Sequence, residues 1–330
     1  MLTDPPEGPA SLVELKRLFY SGFDLNAFNE NVAAFWSRDL SERAEDLLEA
    51  IIQTMRIGED WVFPFSWDEY LPGTDFWRVR RVTPEQLRVG LTVSDLWEAP
   101  REFVPAGRLN LPNEPLLYTT LGNPLGPMRE AGLEAGDTFI MIWYRLLEPI
   151  VFKRVGATNP DLDLTDQEQR IEEALSVFIK NVLAIPAEQH GPCIYALTQQ
   201  VLRRFYPLDS NWETGWTYES TLTSGTSNAA IEVEAAHAKL AVNSVIAGRI
   251  GSIDQAGVSA YYRAHSDGQA RHGDKIGFAY FPEDGPRTLE SIIEWTQPRP
   301  RGGSLARLRH WAATRQVRPS GVGKGAARGG

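Results

Sequence analysis

The chain has 330 residues, 42% hydrophobic and 23% charged, a composition that suits a globular protein with a sizeable core and excludes a fibrous or disordered one. Its single cysteine, Cys193, excludes an intramolecular disulfide framework and a multi-cysteine metal site. The net charge of −10 is uneven: from Pro298 onward there are eight basic and no acidic residues, leaving 25 basic against 43 acidic before it, and an acidic body argues against wrapping nucleic acid.

In chain order, "MLTDPPEGPA" has neither a basic nor an apolar run, so no secretory signal is expected. No later stretch has the length of a membrane span. With one cysteine, these features point to the cytoplasm. Residues 11–57 read as helical. Ser11 and Glu14 form a capping-box pattern, and Ala44, Leu47, Leu48, Ile51, Ile52 and Met55 recur at helical spacing before Gly58. "EDWVFPFSWDEYLPG" reads as an aromatic, proline-broken connection. "FWRVRRV" (76–82) alternates apolar and basic residues as a half-buried strand does. "PLLYTT" and "TFIMIWYRL" are the next strands, with a short helix around Met128 to Leu133 between them.

"TDQEQRIEEALSVFIKNVLAIP" is the clearest helix, capped by Thr165 with Glu168 and carrying Ile171, Leu175, Phe178, Ile179 and Val182 on one face. "IYALTQQVLRRFYP" is a second helix. The strand-like "AAIEVEA" follows "GWTYESTLTSGTSN", and further strands are expected at "VSAYYRAH" and "KIGFAYFP", with a short helix at "TLESIIEW". The basic remainder reads as a flexible arm capable only of weak contacts with nucleic acid. Strands and helices do not alternate regularly, which favours an α+β fold over a doubly wound one.

The sequence lacks H-E-x-x-H, G-x-S-x-G and a phosphate loop with its strand and helix. "GVGKGAARGG" imitates such a loop without the preceding strand. The five histidines are scattered, so no metal site is expected. What remains is a set of arginines, a tyrosine, a carboxylate and a hydroxyl. Arg78 and Arg80 share one face of a strand. Arg108 follows Gly107 in a turn where backbone can approach a ligand closely. Two or three guanidinium groups near one cleft suit a pyrophosphate, Tyr118 suits stacking on a flat ring, and Glu130 suits a developing positive charge. Ser220 and Asn228 flank a loop and could hydrogen-bond sugar or amide groups. Each of these residues has a commoner structural role, in a core strand, a surface ion pair or a turn. Together they suit NAD, whose ribose–nicotinamide bond has a cationic leaving group. Its cleavage needs an oxocarbenium-stabilising carboxylate rather than a general acid.

In order and spacing these pieces resemble the RES-domain family, named for its Arg, Glu and Ser. "FWRVRRV" resembles the family's opening strand, with Arg78 at its arginine. "DLWEAPREFVPAGRLNLPNEPLLYTT" is similar to its lead into a Gly-Arg-x-Asn turn and a strand ending in Tyr, here Gly107, Arg108, Asn110 and Tyr118. "GPMREAG" puts Glu130 at its glutamate, and "GWTYES" and "TSGTSNAAI" put Ser220 at its serine and Asn228 at a frequent asparagine. The resemblance covers roughly residues 74–240 and departs from the family at Glu219, where a proline is common.

The resemblance implies an ADP-ribosyltransferase-like core: a split, bent mixed β-sheet with flanking helices and an NAD cleft. The RES-like NAD-binding domain is then expected over 74–297, while the helical extension over 1–73, read from periodicity, and the basic Gly/Arg-rich flexible tail over 298–330, read from composition, depart from the compact family pattern. Implied roles are Glu130, Arg78 and Ser220 in catalysis, and Arg78, Arg80, Arg108, Asn110, Tyr118 and Asn228 in binding NAD as substrate. The expected activity is that of an NAD glycohydrolase or phosphorylase of the toxin type. The alternatives are ADP-ribosyl transfer to a macromolecule and a catalytically degenerate binding or scaffold protein. Expected partners are a separate antitoxin chain or a protein target, and an oligomer is compatible with the sequence.

Overall fold

The computed structural model describes residues 16–17, 19–57, 60–122, 124–159, 162–209, 211–220, 222–223, 226–254, 257–267, 275–281 and 289. The phosphate-loop imitation and the basic tail lie outside these residues, as does "TLESIIEW" apart from Leu289. The fold is α+β, with helices packed on a ten-stranded mixed sheet. The strands are β1 (Arg56–Ile57), β2 (Asp60–Trp61), β3 (Phe65–Tyr70), β4 (Asp75–Arg81), β5 (Leu116–Leu121), β6 (Thr138–Leu146) and β7 (Ile150–Val155), followed by β8 (Gly215–Glu219), β9 (Ser227–Glu232), β10 (Leu240–Asp254), β11 (Gly257–Ser266) and β12 (Ala279–Tyr280). The helices are α1 (Leu25–Trp36), α2 (Ala44–Thr54), α3 (Pro84–Val89), α4 (Gly126–Glu130), α5 (Asp166–Ala184), α6 (Ala187–His190), α7 (Cys193–Phe205) and α8 (Val233–Lys239).

The large sheet runs β12-β11-β10-β6-β4-β5-β9-β8-β7-β3, with β1 and β2 forming a separate pair. Only β7 and β8 run parallel among these neighbours. One junction in the sheet is barely paired. Strands β4 and β5 meet only where Trp77 lies opposite Thr120, whereas β5 pairs with β9 along its whole length, from Leu116 opposite Glu232 to Leu121 opposite Ser227. The sheet is therefore split between β4 and β5.

Strands β5 and β9 are covered on both faces. Leu116 and Ala230 join a core made with α1, α2, α5 and α7, whereas Leu117, Leu121, Ala229 and Ile231 join a second core with Phe76, Ile140, Ile142 and Tyr144. The alternation follows from the two-residue period of a strand. In the helical core, α5 begins at the expected capping box, with Thr165 Oγ1 accepting from the Glu168 amide. It presents Leu175, Ile179 and Val182 fully buried. Phe178 meets Phe28 and Phe35 in T-shaped pairs at centroid separations of 6.1 and 5.3 Å, and truncating such a side chain costs about 3–5 kcal/mol.

Several expected elements are corrected. The proline-broken connection after Glu59 contains β3, an edge strand paired with β7 from Phe65–Val155 to Tyr70–Ile150. Pro64 sits just before the strand, where its missing N–H costs no ladder bond. By contacts the chain divides into two compact units, Met1–Gly285 and Pro286–Gly330. Both β7 and the longest strand, β10, are unanticipated. A Cβ at Gly248 of β10 would lie 2.6 Å from the Phe139 ring, so glycine is needed there for close packing. The strand-like "AAIEVEA" stops at Glu232, and its helix-favouring remainder opens α8. The helix expected around 128–133 spans Gly126–Glu130, which makes Glu130 its last residue rather than one near its start. Within "KIGFAYFP", Ala279 and Tyr280 pair with β11, and Lys275 forms an isolated antiparallel bridge with Thr92.

Candidate functional site

The split between β4 and β5 opens into two adjoining cavities of about 860 and 300 Å³, in the size range of small-molecule sites. Arg78, Tyr118, Glu130, Tyr218 and Asn228 line both. Arg108, Asn110 and Ser220 line the larger cavity, and Arg80 lines the smaller. Every residue singled out in the sequence thus borders this space, although they span positions 78 to 228.

The strand period sets the first group. Arg78 and Arg80 face one segment, as their i, i+2 spacing requires. Arg78 Nη1 donates to the Trp97 carbonyl at 2.6 Å and Arg80 Nη1 to that of Asp95. That segment is held by a capping box in which Thr92 and Asp95 satisfy each other. Burial, followed by the neighbouring Arg78 charge, holds the Arg80 guanidinium below its ordinary value.

The turn 107–110 is built by α7. Thr198 Oγ1 donates to the Arg108 carbonyl at 2.9 Å. Gln199 Nε2 donates to the carbonyls of Gly107 and Asn110, both at 2.7 Å. Arg108 is partly committed elsewhere: its Nη1 donates to the carbonyls of Leu183 and Ile185, at 2.6 and 2.9 Å, capping the C-terminal end of α5. Its Nε and Nη2 take no acceptor among the described residues. Asn110 is buried, and its amide donates to the carbonyls of Pro105 and Leu111 while its Oδ1 accepts from the Tyr118 hydroxyl at 2.9 Å. Asn110 therefore orients Tyr118, a role more structural than the expected ligand contact. Burial first, then the nearby Tyr218, pushes the Tyr118 hydroxyl far above the usual tyrosine range, so it stays neutral.

Across the cleft, Ser220 Oγ donates to Glu130 Oε1 at 2.5 Å. The same hydroxyl oxygen accepts from the amides of Leu222 and Thr223, at 3.2 and 2.9 Å. This turn aims the hydroxyl hydrogen at the carboxylate. Glu130 itself is exposed at the end of α4. Two residues before Ser220 lies Tyr218. Burial pushes its ionisation well above the ordinary range, the Glu130 carboxylate adds to the rise, and a hydrogen bond with Asn228 opposes it. Asn228, also buried, accepts from Thr120 Oγ1 at 3.3 Å.

Tyr218 and Lys180 belong to the cleft and were not singled out from the sequence. The two-residue spacing from Ser220 signals Tyr218. Nothing local signals Lys180, which reaches the cleft from α5. Glu219 takes Lys180 Nζ at 3.0 Å and Arg154 Nη2 at 3.2 Å on one carboxylate oxygen. Partial burial works against its ionisation, but the Lys180 and Arg154 contacts outweigh that and hold it below the ordinary carboxylate value.

Among the described residues no group of His, Cys, Asp or Glu is arranged to hold a metal ion, and no helix is long and apolar enough to cross a membrane. Fold and site together define an α+β protein with a cleft in a split sheet, lined by charged and apolar residues. Compared with family models, curated proteins and solved structures, the chain finds no match.

Proposed function

We propose that this cleft binds NAD and breaks its nicotinamide–ribose bond, as the resemblance to the RES-domain family implies. The observation that carries the reading is the Ser220–Glu130 contact at 2.5 Å on a wall shared with Arg78, Tyr118 and Asn228. These residues come from distant strands and a short helix, and no packing requirement explains an exposed carboxylate held in one orientation by a turn hydroxyl.

In this reading Glu130 faces the ribose carbon as positive charge develops there, and Ser220 fixes which carboxylate oxygen does so. Arg78 offers its remaining donors to the diphosphate, and the Nε and Nη2 of Arg108 supply a second point of contact. Tyr118, its hydroxyl tied to Asn110, presents its ring for stacking on nicotinamide or its ribose. Tyr218 and Asn228 bring a neutral hydroxyl and an amide to the same wall. Because nicotinamide leaves as a neutral molecule from a cationic ring, no group on the protein has to protonate it.

The test is NAD consumption with product identification, run beside Glu130→Gln. Charge stabilisation confined to the transition state predicts that kcat falls about 10²- to 10³-fold while NAD binding changes little. The products distinguish water, phosphate and a macromolecule as acceptor. Intact NAD with the wild-type protein under varied phosphate and partner conditions would sink the proposal.

A further inference from the structure

The larger cavity is lined by three cationic residues, Arg78, Arg108 and Lys180, and three carboxylates, Glu130, Glu188 and Glu219. The cations are not equivalent. Arg78 and Arg108 donate to main-chain carbonyls and form no salt bridge among the described residues. Lys180 alone among them is paired with a carboxylate among the described residues. Behind Glu219 stands Arg154, which also approaches Asp68 at 3.8 Å.

The Glu219 contact has the form of a latch. A single oxygen, Oε1, receives both Lys180 Nζ and Arg154 Nη2. The Glu219 side chain is half exposed, at 50%, and an ion pair at such exposure is weak. The two cationic side chains are less exposed than the carboxylate, each at 33%. The stem of Lys180 packs over Gly156, where an added Cβ would come within 3.3 Å of Lys180 Cγ. Arg154 lies in the ladder of β7, opposite Ser66 of β3. Displacing Glu219 toward solvent would therefore free Lys180, which lines the cleft, and Arg154 beside it.

We propose that Lys180 and Arg154 form an anion subsite occupied in the free protein by Glu219, and that phosphate oxygens of a ligand take its place. The subsite rests on reading the cleft as one for a phosphate-bearing ligand. It adds a specificity element: Glu219 admits a ligand whose phosphate can outcompete a carboxylate and disfavours anions too weak to do so.

The experiment is calorimetric titration of the full-length protein with inorganic pyrophosphate and, separately, inorganic phosphate. Glu219→Gln keeps the shape and removes the competing charge, so pyrophosphate should bind about fivefold more tightly than to the wild type. Adding Lys180→Met to that variant should abolish the gain, and Lys180→Gln serves the same purpose should the methionine variant not fold. Tightening of pyrophosphate alone identifies a diphosphate site, and tightening of both ligands identifies a site for one phosphoryl group. Either outcome supports the subsite. A Glu219→Gln protein that binds pyrophosphate no better than the wild type overturns it, as does a gain that survives loss of Lys180. NAD consumption measured in parallel separates the two proposals. A Glu219→Gln gain without NAD loss leaves the subsite and removes the NAD reading, and NAD loss without the gain does the reverse.

Discussion

Gly107→Ala probes how the Arg108 turn prepares the cleft. A Cβ at position 107 would lie 2.4 Å from Asn110 Oδ1, well inside contact distance. Asn110 cannot move freely: it is 3% exposed, and its amide bonds two carbonyls, at 2.8 and 3.0 Å. Relief of the clash must rotate Oδ1 away from the Tyr118 hydroxyl, which sits 2.9 Å from it. A buried hydroxyl left without its partner costs about 1–3 kcal/mol. For a unit of this length each kcal/mol lowers the melting temperature by about 2 °C, so a fall of about 4 °C is expected. Calorimetric unfolding measures it, with Tyr118→Phe and the double variant as controls. Tyr118→Phe removes the donor in advance, so Gly107→Ala should cost clearly less in that background. Unchanged melting of Gly107→Ala, or full additivity of the two substitutions, would refute this account of the turn.

The remaining predictions concern Glu130 and the N-terminal helices. Ser220→Ala should lower kcat for NAD cleavage about tenfold with KM little changed, because the lost hydrogen bond serves the orientation of Glu130. Ser220→Thr should recover much of the rate, and equal rates for the alanine and wild-type proteins would contradict the assigned role. Lys16 and Glu172 form a buried pair, 5% and 2% exposed at the side chain, with the Tyr20 hydroxyl donating to the same carboxylate. Lys16→Met strands a buried charge and should destabilise by about 3–5 kcal/mol. Lys16→Met with Glu172→Leu should be milder, as measured by denaturant unfolding, and a harmless Lys16→Met would show that the first helical residues do not anchor to α5.

Local rules reached the elements whose periodicity is strong. The capping box at Thr165, the apolar face of α5, the sharing of one face by Arg78 and Arg80, and the strand from Thr138 to Leu146 all follow from spacings within a few residues. They failed where neighbours decide. In β3 an aromatic, proline-led segment becomes an edge strand because β7 offers it a ladder. In β10, a strand the local pattern did not signal, Gly248 and Gly251 are places where Phe139 and Tyr261 must fit.

The site shows the same division. Residue types and their order singled out Arg78, Arg80, Arg108, Asn110, Tyr118, Glu130, Ser220 and Asn228, and all eight border one opening in the sheet. Their division of labour was not legible. Arg108 spends one of its three guanidinium nitrogens on the end of α5, Asn110 serves Tyr118, and Glu219 is held by Lys180 and Arg154. Hydrogen-bond partners 75 residues apart, as in Arg108 with Leu183, are chosen by how helices pack on a sheet. Which side chains are available, and on which face of each element they stand, was already set in the order of residues, because those depend on periods of two and 3.6 residues. Which of their donors and acceptors remain open to a ligand was settled by tertiary packing, because that depends on what the fold has already used.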